Sequence, residues 1–325
     1  MLQNDWILSH ERLDGIATAT SYVNADRNSL STLSIPWQSP RVAVIGDIML
    51  DIDVDCRCER ICQEGPWPVF LMEQSRCRLG GAGNVAAMLH GLGCQVLLLG
   101  LVGRDDWQQI PQANLEIGWR LADGMTTRKT RFWCSGRLSG PRVDQDQTSC
   151  PSCEDIDHFL ESIEQFRPQV LIVADHGKGV VTVELMQRLG ELNIPILIDP
   201  ILKTPLPFPA AAIAGGRHEL GPHVKQAEVV IEKRGAGGLA WTTAPHDSIP
   251  VELASTCRKL VDPLGAGDQF IASLAFQRCL GSDWPEAIAW ANHAAGLQCE
   301  QPGCIPLGKD AIDNAVHATA QLRSA

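Results

Sequence analysis

The chain has 325 residues, 45% of them hydrophobic and 20% charged, and its 27 Lys and Arg against 38 Asp and Glu give a formal net charge of −11. That length and apolar fraction suit one large or two ordinary globular domains with a sizeable core. The acidic balance excludes coating of nucleic acid or of an anionic membrane as the main activity, and no uninterrupted apolar run approaches the roughly 20 residues that a membrane helix needs.

Residues 1–40 have weak periodicity and end in Ile35-Pro36-Trp37-Gln38-Ser39-Pro40, a Pro-punctuated lead-in that reads as an N-terminal extension before a domain over residues 41–325. The start carries Asp5 and His10 and no basic segment followed by an apolar one. A secretory leader is therefore not indicated, and a cytoplasmic location is expected. From Arg41 onward, short β-branched runs at residues 41–45, 96–102, 170–174, 194–198 and 229–231 alternate with amphipathic stretches at 84–92, 156–166 and 183–192. This rhythm predicts right-handed βαβ crossovers, and so an α/β fold with a mostly parallel sheet buried between helices. Residues 51–73 and 128–147 alternate polar and apolar side chains, contain prolines and lack a helical period. They are expected to form antiparallel hairpins outside the main sheet, a small lid beyond the carboxyl ends of its strands.

Twelve cysteines admit disulfides, metal or neither. A chain of this size needs no stapling, and Cys94, Cys134, Cys279 and Cys299 sit singly in apolar or helical patterns, where a free thiol behaves as a small hydrophobe. The pair Cys150 and Cys153 follows a polar stretch where a redox motif would follow a strand, and Cys56, Cys58 and Cys62 do not have zinc-knuckle spacing. Reduced thiols are expected throughout.

The strongest chemical signal is Asp262-Pro263-Leu264-Gly265-Ala266-Gly267-Asp268, followed by an amphipathic run over residues 269–277. A small-residue turn opening a helix leaves unpaired N–H groups in front of the positive end of the helix dipole, a place that holds phosphate. Asp268 admits two roles: a helix cap, or a base that takes a proton from an attacking hydroxyl while the amides of Gly265, Ala266 and Gly267 stabilise the transferring phosphoryl.

This D-x-x-G-A-G-D segment resembles the C-terminal signature of the ribokinase-like (PfkB) sugar kinases, and Gly80-Gly81-Ala82-Gly83-Asn84 resembles their N-terminal one. Bare backbone there lets sugar hydroxyls approach, and an amide side chain bonds them. A dinucleotide fingerprint at residues 81–86 is set aside because polar residues 74–78 precede it in place of a buried strand. Within the family the heptose 7-phosphate kinase branch is most similar. Gly46-Asp47-Ile48-Met49-Leu50-Asp51 resembles its G-D-x-M-L-D opening, Asp175-His176-Gly177-Lys178-Gly179 its D-Y-x-K-G, and Ala291-Asn292-His293-Ala294-Ala295-Gly296 its A-N-A-A-A-G helix.

The resemblance implies a three-layer ribokinase-like fold with a β-hairpin lid, and phosphorylation of a sugar or sugar phosphate by ATP with Mg²⁺. It implies that Asp47, Asp51, Gly80, Gly81 and Asn84 bind sugar hydroxyls and that Lys178 lies near the sugar or the transferred phosphate. Strand-end capping is the plainer role for Asp47 and Asp51. Thr126-Thr127-Arg128-Lys129-Thr130-Arg131 resembles a T-x-x-K-x-R strand whose Lys129 and Arg131 would share one face, to grip phosphate or to guard a sheet edge. Lys233-Arg234-Gly235-Ala236-Gly237-Gly238 resembles the T-x-G-x-x-G turn at ATP, and Asn292 the helix bordering adenine, although Gly235 and Gly238 would equally serve a hairpin turn.

Departures cluster on the nucleotide side. The family's N-x-x-E, which organises metal and phosphate, is Gly216-Arg217-His218-Glu219 here, so Glu219 is the remaining metal ligand of that pair; Thr is replaced by Leu264 and by Lys233. Nine residues between Glu219 and Val229 predict an abbreviated helix. Other sugars (ribose, fructose or a fructose phosphate) and a weakly active sugar-phosphate sensor remain alternatives. The lid edges predict a homodimer. No nucleotidyltransferase region follows in the sequence, so nucleotide activation is expected from another polypeptide.

Overall fold

Strands whose successive residues are all apolar need two cores, one on each face of the sheet. Val42 and Val44 enter one core while Ala43 and Ile45 enter the other, and Ile172 and Val173 divide in the same way. The structure, a computed structural model, describes residues 39–104, 115–200, 206–221 and 226–324; the expected extension, apart from Ser39 and Pro40, lies outside the described residues.

In chain order the elements are β1 (Arg41–Gly46), β2 (Ile48–Ile61), β3 (Pro68–Gly81), α1 (Ala82–Gly91), β4 (Gln95–Leu99), β5 (Leu101–Gly103), β6 (Glu116–Ile117), β7 (Arg120–Ala122), β8 (Arg128–Cys134), β9 (Arg137–Leu138), β10 (Val143–Gln145), α2 (Cys153–Phe166), β11 (Val170–Ala174), α3 (Val183–Gly190), β12 (Ile196–Asp199), β13 (Ala210–Gly215), α4 (Arg217–Leu220), β14 (Ala227–Lys233), β15 (Leu239–Thr243), β16 (Val251–Leu253), α5 (Ala266–Cys279), α6 (Trp284–Cys299) and α7 (Lys309–Ser324). The central sheet has the order β16-β15-β14-β13-β12-β11-β1-β4-β6, parallel except for β15 and β16. One core packs it against α1, α5 and α6, the other against α2 and α3. Phe159 of α2 is fully buried in the second core. Phe159→Ala is expected to cost about 3–5 kcal/mol of stability, read as a lower denaturant midpoint at unchanged slope.

Two expectations change in detail, and one strand was not expected. The apolar run at 96–102 is two strands, because Gly100 lies so close to β1 that a Cβ there would sit 2.4 Å from the Gly46 carbonyl oxygen; β4 stays in the central sheet and β5 pairs with β7. The run at 269–277 is not amphipathic: every residue in it is buried, and Gln269 Nε2 donates to Ser273 Oγ at 3.0 Å. The strand β13, sequence AAAIAG, had no β-branched signal beyond Ile213, since alanine favours helix in isolation. Tertiary burial between β12 and β14 decides it.

The segments expected as separate hairpins form one smaller sheet. The strands β2 and β3 make a long antiparallel hairpin, and β8, which carries β9 and β10, joins β2 in parallel. In the Cys150-Pro151-Ser152-Cys153 segment, Ser152 and Asp155 form a capping box that starts α2, and all described cysteines are free thiols. No helix among the described residues is long and apolar enough to cross a membrane.

Candidate active site

The parallel strands β1, β11, β12, β13 and β14 end on one side, and chemistry-bearing residues follow each of them. There α5 begins at Gly265, whose φ of 75° is left-handed and which carries no side-chain cap. Gln269 N–H reaches the Gly265 carbonyl at 2.8 Å and Ala266 N–H the Pro263 carbonyl at 3.4 Å. The amides of Gly267 and Asp268 have no acceptor among the described residues. Asp262 shapes this turn by accepting from the amides of Leu264 at 3.0 Å and Gly303 at 2.9 Å. A Cβ at Gly265 would meet Cys304 Sγ at 2.7 Å, so a side chain there would displace the neighbouring loop.

Asp268 stands at this helix mouth, and Asn84 of α1 donates to its Oδ2 at 2.5 Å. Burial pushes the carboxyl above the ordinary carboxylate range; the His176 charge, the Asn84 hydrogen bond and Lys233 pull the other way, while Asp199 adds to the rise. Lys233, the last residue of β14, donates to Asp199 Oδ1 at 2.6 Å, and its Nζ lies 3.5 Å from where a Cβ on Gly267 would be. Burial opposes its charge, but Asp199, then Asp268 and Glu219, hold the ammonium above its usual pKa. The arrangement joins amide donors, a cation and a carboxylate of raised proton affinity at a single point.

On the other side of Asp268 lies the second sheet. Gly80 is bare where a Cβ would come within 2.8 Å of Asp51 Oδ2, and Gly81, with a left-handed φ of 56°, has no room beside the Asp47 carbonyl and Met49. Asp51 pairs with Arg131 Nη1 at 2.6 Å, with both side chains largely buried. Lys129 and Arg131 share one face of β8, opposite Asp51 and Asp53 in register.

Several expected site residues spend their polar atoms inside the protein. Asp47 is 1% exposed, and its carboxylate accepts from the amides of His176, Lys178 and Val180 at 2.8, 2.9 and 3.0 Å. These bonds give it the strand-end capping role. Lys178 pairs with Asp146 at 2.7 Å, which ties β11's exit to the segment after β10. The Asn292 amide donates to the Ala254 carbonyl at 2.8 Å and so anchors the 254–257 loop. Gly235 and Gly238 form the turn between β14 and β15, and a Cβ at Gly238 would collide with the Leu253 carbonyl at 2.1 Å. Glu219 turns back on the start of the four-residue α4, accepting from Gly216 N–H at 2.5 Å. No group of three or more His, Cys, Asp or Glu among the described residues is placed to hold a metal ion.

Four residues near the site were given no role by the motif reading: His176, Arg78, Cys304, and Asp199, which it placed only as part of a V-D-P strand end. His176 was visible only as the residue replacing Tyr in D-Y-x-K-G; its ring lies against Gly81 and its Nε2 is buried without a partner. Burial pushes the Cys304 thiol up to about 12, so it is an inert wall between the two sheets.

The pfkB family carbohydrate kinase profile matches residues 39–116 and 212–310. The bifunctional protein HldE of Gluconobacter oxydans is 31% identical over 307 residues, 84% of this chain and 63% of that protein. HldE of Bradyrhizobium diazoefficiens is 29% identical over 324 residues, 87% and 62% respectively. The chain thus spans less than two thirds of the length of these relatives. Arabidopsis thaliana ribokinase, solved with ribose and ATP, superposes with a TM-score of 0.61 at 17% identity over 86% of this chain and 99% of that one. Escherichia coli phosphofructokinase-2 does so at 0.68 and 13%, over 87% and 100%.

Proposed function

Because the chain belongs to the pfkB family of carbohydrate kinases and has the ribokinase-like α/β fold, we propose that it transfers the γ-phosphoryl of ATP to a sugar phosphate, in the manner of heptose 7-phosphate becoming heptose 1,7-bisphosphate. The observation that carries this reading is the meeting of Asp268 with the unpartnered Gly267 and Asp268 amides and with Lys233.

In this mechanism the acceptor hydroxyl lies against Asp268, whose carboxylate takes its proton as the oxygen attacks in line. Asn84 fixes the carboxylate's orientation through Oδ2, leaving Oδ1 for the hydroxyl. The Gly267 and Asp268 amides and the Lys233 ammonium face the charge that spreads over the transferring phosphoryl, and they need little reorganisation because the fold already holds them; the Ala266 amide is drawn to the Pro263 carbonyl. The smaller sheet covers the sugar and excludes water, with Gly80, Gly81 and Asp51 lining its approach. Mg²⁺ is proposed as the partner of the nucleotide phosphates. The described carboxylates build no cage for it, so phosphate oxygens and water would supply most of its ligands, with Glu219 beyond them.

A homodimer through the smaller sheet is also proposed. Ile61, Trp67 and Met72 are each at least 60% exposed near its far end, an apolar surface of the kind that partners cover. ADP release with Mg·ATP, measured across heptose 7-phosphate, fructose phosphates, ribose and fructose, tests the whole reading. Fastest turnover is expected with a sugar phosphate. Turnover confined to free ribose or fructose would replace the substrate class, and sugar-phosphate binding with no ADP from any acceptor would favour a sensor.

A further inference from the structure

One face of the smaller sheet carries charge toward the cleft: Asp51 and Asp53 on β2, Arg78 next to bare Gly80 on β3, and Lys129 and Arg131 on β8. Arg131 is spent on Asp51, and Lys178 on Asp146. Arg78 is only half committed. Its Nη1 donates to Asp53 Oδ2 at 2.5 Å, while Nε and Nη2 are buried with no acceptor among the described residues. Two guanidinium nitrogens removed from water without a partner are costly, and they mark a place where an acceptor belongs.

The neighbours give that place a direction. Asp53's other oxygen accepts from Trp133 Nε1 at 2.8 Å, so the carboxylate that grips Nη1 is itself fixed, and with it the plane of the guanidinium. Arg78 Nη1 lies 3.7 Å from where a Cβ on Gly303 would be, and Cys304, the next residue, abuts Gly265 at the helix mouth. A single loop thus separates Arg78 from the phosphoryl-transfer point, and a sugar bridging Asp268 and Arg78 would present its second end to the unpartnered Nε and Nη2.

We propose that Nε and Nη2 of Arg78 form the fork that binds the phosphate already carried by the acceptor sugar, with Asp53 and Trp133 as positioning residues behind it. A planar fork with two parallel donors matches a phosphate monoester in a way that a lysine point charge does not. The inference rests on the sugar-phosphate reading above and deepens it, since it names what separates a phosphorylated acceptor from a free sugar.

The test is steady-state kinetics with Mg·ATP on matched pairs, heptose 7-phosphate against heptose and fructose 6-phosphate against fructose, for wild type, Arg78→Met, Arg78→Lys and Trp133→Phe. Arg78→Met is expected to lower kcat/KM for the phosphorylated acceptor by about 10- to 100-fold, mostly through KM, while the value for the free sugar stays within about threefold. Arg78→Lys is expected to recover only part of the loss, and Trp133→Phe to raise KM for the phosphorylated sugar alone by severalfold. The Trp133 variant, which keeps an aromatic side chain but lacks the N–H donor to Asp53, carries the test should Arg78→Met fail to fold. Equal losses on both members of a pair, or no loss on the phosphorylated one, overturn the proposal. If no acceptor yields ADP, the kinase reading fails by itself; calorimetric binding of the same sugar phosphates then decides the role of Arg78, with affinity unchanged in Arg78→Met as the overturning result.

Discussion

Asp268→Asn is expected to reduce kcat by about 10²- to 10⁴-fold, the range a general base contributes, and to leave the protein at least as stable as wild type at neutral pH. Both effects share one origin. Burial raises the proton affinity of the Asp268 carboxyl in the folded state, so between the ordinary carboxylate range and that raised value the native form holds a proton that the unfolded chain has released. Stability therefore falls as pH rises through this window, and ionised Asp268 is a cost at neutral pH. Asn removes that cost and keeps the shape beside Asn84, whose amide donates to Oδ2 in wild type. Activity has the opposite dependence: the wild-type rate should fall as pH drops through the raised value, because a protonated acid accepts nothing. Thermal unfolding of both proteins from pH 4 to 8, beside kcat over the same range, checks the pair of claims. A variant that keeps wild-type kcat removes Asp268 from the base role.

Lys233→Met should lower kcat by roughly 10²- to 10³-fold, as loss of one preorganised donor to transition-state charge does elsewhere. The ammonium sits between Asp199, at 2.6 Å, and the bare face of Gly267. Removing it takes a cation from the phosphoryl site and leaves Asp199 and Asp268 without the charge that offsets them. The carboxylate of Asp268 should then titrate still higher, moving the acidic limb of the pH–rate profile to higher pH. Lys233→Arg keeps the charge and should retain more activity than Met with a smaller displacement of that limb. A purely structural salt bridge would lower stability in Lys233→Met without moving the pH profile, and that outcome would remove Lys233 from phosphoryl transfer.

The layered α/β plan was legible because it rests on local signals: apolar runs too continuous for a half-exposed strand, alternating with helical periods. The glycine-rich turns were legible for a related reason. Gly81 and Gly265 adopt left-handed φ with no room for a side chain, and main-chain demands of that kind leave a mark in residue type. Hydrogen-bond capacity leaves none. Asp47 and Asp51 look alike in sequence, yet three amides of the 176–180 segment consume one while the other faces Gly80 and Arg131. Asn292 stands in a recognisable helix motif but is bound to the Ala254 carbonyl. Arg78 was overlooked because nothing in Arg-Cys-Arg-Leu says which guanidinium will be buried with open donors. The parallel pairing of β2 with β8 was equally hidden, since it joins segments 78 residues apart through no local pattern.

Asp47 is also the single residue between β1 of the large sheet and β2 of the small one, and three main-chain amides pin it. Any swing of the small sheet consequently pivots near a clamped point and works as a lever. With 14 residues in β2, at about 3.3 Å each, the arm is roughly 46 Å long, so a rotation of about 5° carries its tip about 4 Å but moves Asp51 only about 1 Å. A swing that displaces the outer end thus leaves the residues nearest the fulcrum aligned, which separates the mechanics of admitting a molecule from the geometry of reacting with it.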